Sequence, residues 1–319
     1  MDSQLVLEKW PGAVATVIIG AKQEEGGSRN DNVKIGGQNT MPLLFKEGVI
    51  PNRPKIAFEI WDIAPVDFEE ELISVYGKAL KDPLAWAQIC VNEFKAQLLC
   101  LKMQGTHPDF GDKSPAEAAK FVSGLLSKVN VPLIIVGSGD DAKDNLIIPA
   151  CSEAARGERC LVGCAVQDNY KTLVASVLAD GHSIIAESPI DINIAKQLNI
   201  LISDMGLSLE RIVINPTIGA LGYGLEYAYS IMERARLAAL SGDKTLACPF
   251  ICFVGQEAWR TKEAKAVFHQ GIIWETLTAT SLIQSGADLL VMRHPQAARN
   301  VSNYIESLFK GYRCLLSAS

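Results

Sequence analysis

From Pro54 onward, short apolar runs alternate with stretches of helical periodicity, and the alternation repeats eight times. The runs are KIAFEIWDI (55–63), QLLCLKM (97–103), VPLIIVG (131–137), RCLVGCAV (159–166), HSIIAES (182–188), RIVIN (211–215), PFICFVG (249–255) and GADLLVMRH (286–294). Each is strand-length and apolar at both parities, which suits a strand covered on both faces. The intervening segments carry helix signals. Asp82 caps a helix with Pro83 at its first position, and Ser114, Pro115 and Glu117 open another. A third helix is expected over 144–156 and a fourth over 170–179. From Asp191, Ile194, Leu198, Leu201, Ile202 and Met205 fall on one face until Gly206. Leu225, Ala228, Met232, Ala235 and Ala239 do the same up to Gly242, then come helices over 271–285 and from Pro295 to about Phe309. Eight strand-helix units in series predict an α/β fold, a (β/α)8 TIM barrel, with a doubly wound open sheet as the alternative.

Residues 1–54 stand apart. Two extended runs, Ala13–Gly20 and 32–45, flank the polar stretch AKQEEGGSRNDN, which predicts an N-terminal β-hairpin extension laid on a single barrel domain over 55–319. With 48% hydrophobic residues in 319, the chain has ample apolar content for that core. A net charge of −6 without a basic run argues against nucleic acid as a partner. No stretch approaches the length of a membrane span, and MDSQLVLEKWPG is not a secretory leader, so a cytoplasmic protein is expected. The eight cysteines then read as thiols. Cys160/Cys164 and Cys248/Cys252 lie too far apart along extended chain to grip one metal ion, and buried small hydrophobes is the favoured reading.

In such a barrel the working face lies where the strands end, which selects Asp62, Lys102, Gln104, Ser138–Asp140, Cys164–Gln167, Ser188, Asp191, Asn215, Gln256, Glu257, Arg293 and His294. Lys102 in an apolar strand suits either a Schiff-base amine of the aldolase kind or an ion pair with Asp62, the latter favoured. Asp62 also suits a general acid or base, but one carboxylate makes no mechanism. His294, between Arg293 and Pro295, fits an anion contact or a structural cap. Glu257, Arg260 and Glu263 are spaced as a solvated helix network, and Trp259 beside them reads as a partner anchor at a helix start or as core packing. No D-x-H-x-x-G, H-E-x-x-H or G-x-S-x-G occurs, so no metal ligand or catalytic residue is assigned.

One junction is unusual. RIVINPTIGALGYG (211–224) is a strand stopped by Pro216 and followed by Gly219, Gly222 and Gly224 before a helix. Glycines there let backbone N–H groups approach a ligand or partner, the reading favoured over a turn needed only for packing. The spacing matches neither a dinucleotide fingerprint nor a phosphate loop.

SPIDINIAKQLNIL (188–201), NPTIGALGYGLEYAYSIMERARLAAL (215–240), VGQEAWRTKEA (254–264) and VMRHP (291–295) together resemble the small subunit of the corrinoid/iron-sulfur protein. EGVIPNRPKIAFEIWD (47–62), VPLIIVGSGD (131–140) and QDNYK (167–171) extend the resemblance over nearly the whole chain. It implies a barrel subunit of a heterodimeric methyl carrier of the anaerobic acetyl-CoA (Wood-Ljungdahl) pathway, an auxiliary subunit rather than an enzyme alone. The large subunit would hold the corrinoid and its cobalt together with a 4Fe-4S cluster. Methyl groups would come from methyltetrahydrofolate through a methyltransferase and pass to acetyl-CoA synthase. This chain would cap the corrinoid, with Ser188–Asn193 and Thr217–Tyr223 facing it or the partner, alongside Asp62, Lys102, Asp191, Asn215, Gly219, Gly222, Glu257, Trp259, Arg293 and His294.

The chain departs from the expected pattern at Gln104 and Asn215, where acids are expected, at Cys164 and Val166, where Asn and Glu are, and in a shorter AKAVFHQG insertion. The missing acids count against the alternative reading, a pterin-binding methyltransferase using Asn215, Asp191 and Asp62 on methyltetrahydrofolate.

Overall fold

A computed structural model describes residues 7–316, with side chains through Lys310. Cys314 therefore lies outside the described side chains. A hairpin of β1 (Thr16–Ile19) and β2 (Val33–Gly36) precedes β3 (Lys55–Trp61), α1 (Glu70–Tyr76), α2 (Pro83–Asn92), β4 (Leu99–Lys102), α3 (Pro115–Lys128), β5 (Leu133–Val136) and α4 (Asp141–Ala154). There follow β6 (Leu161–Ala165), α5 (Tyr170–Asp180), β7 (Ser183–Glu187), α6 (Ile192–Asp204), β8 (Ile212–Asn215) and α7 (Leu225–Leu240). The chain ends with β9 (Ile251–Cys252), α8 (Val254–Ala258), α9 (Lys262–Ala266), α10 (Gln270–Ser285), β10 (Leu289–Met292) and α11 (Pro295–Leu316).

The eight strands from β3 to β10 pair in parallel in the order β8-β7-β6-β5-β4-β3-β10-β9, and helices cover their outer side. This is the barrel expected from the repeat. Its seam lies between β8 and β9, which meet through one bridge, Ile214 to Phe250, with the Ile214 N–H donating to the Pro249 carbonyl at 2.8 Å. The seventh run proves much shorter than 249–255: Pro249 has no N–H for a ladder, and Val254 already begins α8. A buried apolar run of seven residues does not separate strand from helix by itself.

Caps behave as their chemistry dictates. Asp82, Ser114 and Asp191 accept N–H groups of the first turns of α2, α3 and α6. The third barrel helix begins at Asp141, three residues earlier than the spacing predicts, because Asp140 takes the cap by accepting from the Lys143 N–H at 2.8 Å.

Strand parity divides the core in two. Outward residues such as Ile60, Leu101, Ile135, Val162 and Ile214 pack under the helices. Inward residues such as Ala57, Cys100, Ile134, Leu161, Val213 and Val291 form a second cluster, joined by Val17, Ile19, Val33 and Ile35 of the hairpin. The hairpin is held to segments that precede strands: Gly20 N–H donates to the Arg159 carbonyl, Asn30 N–H to Asn130 and Ala15 N–H to Ala247. It therefore fills the N-terminal mouth of the barrel. Each of its buried Val and Ile side chains contributes roughly 1.5–3 kcal/mol of apolar burial. The opposite mouth, where the strands end, stays open.

Candidate functional site

At the strand ends the inward positions turn polar. Glu59, Lys102, Cys164, Glu187, Asn215 and Phe253 line a cavity of about 410 Å³, together with Ser138, Asp144, Gln256 and Arg260. Its charges are largely spent on one another. Arg293 donates to Glu59 Oε1 through Nη2 at 2.7 Å and Nε at 3.0 Å, and Trp61 Nε1 donates to the same oxygen at 2.6 Å. The guanidinium also lies 5.5 Å from the Trp61 ring and 5.0 Å from that of Phe68. Burial pushes the Glu59 carboxyl up, but the charges of Arg293 and Lys102 and the hydrogen bonds from Arg293 and Trp61 outweigh it and hold the group below the usual carboxylate range.

Lys102 Nζ donates to Gln256 Oε1 at 3.3 Å and lies 5.5 Å from the Trp61 ring. Burial lowers its amine below the usual lysine range, Arg293 and Arg260 push the same way, and Glu59 opposes them. Across the mouth, Asn215 Nδ2 donates to Glu187 at 2.7 Å, a pair that the β7–β8 register sets side by side. Asp144 accepts from Ser138 N–H, Ser138 Oγ and Gly139 N–H at 2.8–3.0 Å, and burial still raises its carboxyl.

The expected partnership of Asp62 with Lys102 does not form. Asp62 is buried, accepts from Gly105 N–H at 2.7 Å and pairs with Lys113 Nζ at 2.8 Å, because the segment after β4 folds back over it. Glu59, three residues earlier and of inward parity, is the carboxylate that acts on Lys102. Asp191 is occupied as the cap of α6, and Asn193 is exposed in the first turn.

Ser188 is fully buried with its hydroxyl unpartnered, and its N–H donates to the Asn215 carbonyl at 2.9 Å. Thr217 knits two strand-end loops together: its hydroxyl donates to the Ser188 carbonyl at 3.0 Å and accepts from Ile190 N–H at 3.1 Å. Gly219 is obligatory in this lip, since a Cβ there would overlap the Tyr223 carbonyl. Gly222 has φ +80° with open space around it. Tyr223 projects outward, its hydroxyl donating to Glu263 at 2.8 Å.

Of the two roles offered for Trp259, the geometry displays packing. It ends α8 instead of starting a helix, is buried, donates to Glu275 Oε2 at 2.9 Å and stacks 6.0 Å from His294. His294 is likewise internal: Nδ1 accepts from Gln296 N–H at 3.1 Å, and burial pushes the imidazole down to about 4. Glu257 bonds Arg260 and Gln256. The residues that strand-end reasoning missed are Glu59, Glu187 and Glu275. The first two carry a legible signal, a carboxylate inside an apolar strand run, while Glu275 sits within an otherwise uncharged helix.

Beside this polar mouth lies an apolar rim. Val66, Phe110, Ile190, Tyr223, Val267 and Phe268 are exposed by 42% to 73%; the first four lie on segments that follow β3, β4, β7 and β8, and Val267 and Phe268 lie between α9 and α10. The thiols behave differently: Cys90, Cys100, Cys151, Cys160, Cys248 and Cys252 are buried, and burial pushes each well up from the ordinary thiol range. Among the described residues no group of three or more His, Cys, Asp or Glu is placed to hold a metal ion.

Solved structures of similar shape include dihydropteroate synthase from Xanthomonas albilineans with 4-aminobenzoic acid (TM-score 0.57, 12% identity, 86% of this chain and 99% of that one). Another is dihydropteroate synthase from Thermus thermophilus in complex with 6HMPPP (TM-score 0.56, 13% identity, 85% and 99%). At such identities the likeness speaks for the barrel fold alone. Sequence relatives are much nearer. The acetyl-CoA decarbonylase/synthase complex subunit delta of Methanocaldococcus jannaschii is 35% identical over 315 residues, covering 97% of this chain and 77% of that protein. The subunit of the same description from Methanothermobacter thermautotrophicus is 35% identical over 314 residues, covering 96% and 78%. Residues 16–302 match the family described as CO dehydrogenase/acetyl-CoA synthase delta subunit, and the chain belongs to that family.

Proposed function

We propose that this chain is the barrel subunit of a corrinoid methyl carrier, seating its strand-end mouth over a corrinoid held by a large iron-sulfur partner subunit. The observation that carries the reading is the set of exposed apolar side chains beside a mouth whose buried charged groups are already hydrogen-bonded within the chain. A rim of that kind suits a broad partner surface. The mouth is lined by amides and hydroxyls, Asn215, Gln256, Ser138 and Thr217, each held in place by a hydrogen bond within the chain, a neutral polar surface that suits the amide-bearing edge of a corrinoid. The corrinoid, when present, supplies the cobalt that carries the methyl group; this chain's residues would orient it and exclude water. His294, which follows β10 at this face, is buried against Trp259 and already bonded, which fits a cobalt ligated from elsewhere.

A pterin-binding methyltransferase is the weaker reading, because Asp62 and Asp191, two of the three groups it would use, are engaged by Lys113 and by the α6 N-terminus. The deciding experiment expresses the chain alone and with its candidate large subunit, then measures native mass, cobalt content and methyltetrahydrofolate-dependent methylation of cob(I)alamin. A cobalt-free, inactive lone chain and a heterodimer holding one cobalt are expected. Methylation of free cob(I)alamin by the lone chain would overturn the auxiliary role.

A further inference from the structure

A second concave site lies on the barrel flank, away from the strand-end mouth. The ring of helices opens between the end of α2 and α11, leaving a groove of about 530 Å³ floored by Ile56, Phe58 and Phe94. Ile56 belongs to a barrel strand and points outward, yet remains only half-buried, because no helix lies directly over it. Phe58 is buried, and its ring stacks on that of Phe94 at 6.2 Å.

The groove is also ringed by Arg53, Lys55, Lys95 and Arg299. Among the described residues none of these four has a carboxylate within ion-pair distance. Arg53 lies 5.2 Å from the Phe309 ring, and Lys95 donates to the Asn92 carbonyl at 2.6 Å. Asp31, the carboxylate whose field reaches Lys55, is bonded to Lys22 at 2.9 Å. Two acids line the groove as well: Glu306 is taken by Lys310 at 3.5 Å, and Glu93 is exposed.

Arg53 and Lys55 are thus like charges two residues apart, both half-buried. Burial and the Arg53 charge each lower the Lys55 amine, so the arrangement opposes folding in the free chain. Cations held at such a cost beside an aromatic-floored groove of this size fit a ligand that brings its own negative charge and a flat apolar part. We propose that the groove binds a nucleoside polyphosphate, its phosphates against Arg53, Lys55 and Arg299 and its base on the Ile56–Phe94 floor.

The test uses the full chain and titration calorimetry at low salt with EDTA, the probes being ATP, pyrophosphate and adenosine, repeated on Arg53→Gln, Lys55→Gln and, as a distant control, Lys120→Gln. ATP is expected to bind about ten-fold or more tightly than either fragment, each groove variant to lose about ten-fold, the size of one charge-assisted contact, and the control to match the parent. Lys55→Gln should melt no earlier than the parent, since it removes a repulsion, whereas Arg53→Gln also loses its place over the Phe309 ring. Absence of ATP binding at millimolar concentration, binding unaffected by both variants, or pyrophosphate or adenosine binding as tightly as ATP would overturn the assignment.

Discussion

Arg293 and Glu59 come from neighbouring strand ends and meet on a single carboxylate oxygen, Oε1, with both contacts buried at the top of the barrel. Glu59→Gln leaves the guanidinium and the Lys102 amine without their counter-charge. The expected loss is about 3–5 kcal/mol in denaturant unfolding, the range for breaking a buried pair from one side. Because the folded-state Glu59 carboxyl is held low, its contribution is complete above the ordinary carboxylate range and disappears as pH falls through the lowered value. The variant's stability should therefore fall less steeply with pH at the acid end, and an unchanged curve would refute the pairing's importance.

Glu275 gives the opposite sign. Burial raises its carboxyl from the ordinary 4.5 to about 7, although N–H groups of Arg293, His294 and Trp259 all donate to it. The folded state then holds a proton that the unfolded chain has released, so this residue's term makes stability fall as pH rises from about 4.5 to about 7. Glu275→Gln should flatten that segment, read from melting temperatures across the interval.

The rim separates assembly from stability. Tyr223→Asp combined with Phe268→Asp alters two exposed side chains and should change unfolding by only about 0.5 kcal/mol. Co-purification with the large subunit should nevertheless fail. If the double variant assembles normally, the rim is not the contact surface.

Ile35 tests the plug. It is fully buried among inward residues of the barrel, and Ile35→Ala should cost about 2–5 kcal/mol even though the residue lies outside the barrel strands. A surface-sized effect would mean the hairpin is dispensable.

How much was legible from sequence depends on what kind of information each feature uses. The eight-fold alternation is local, so the barrel and its caps at Asp82, Ser114 and Asp191 could be read directly. Partnerships are not local. Asp62 and Lys102 both stand at strand ends, but Lys113, eleven residues beyond Lys102, reaches Asp62 first, and only the fold of the intervening turn decides that. Parity could have found Glu59 and Glu187, since a charged residue at an inward strand position is conspicuous once the strand is placed. The burial of Trp259 depends on Gly271, whose missing side chain makes room for the indole, a complementarity that neither residue announces alone.

The hairpin at the N-terminal mouth gives this barrel two unlike ends. One end is sealed by Val17, Ile19, Val33 and Ile35 packed on the inward side chains, and the other leaves polar strand-end groups facing solvent. The fold thereby assigns holding the barrel shut and presenting chemistry to opposite ends.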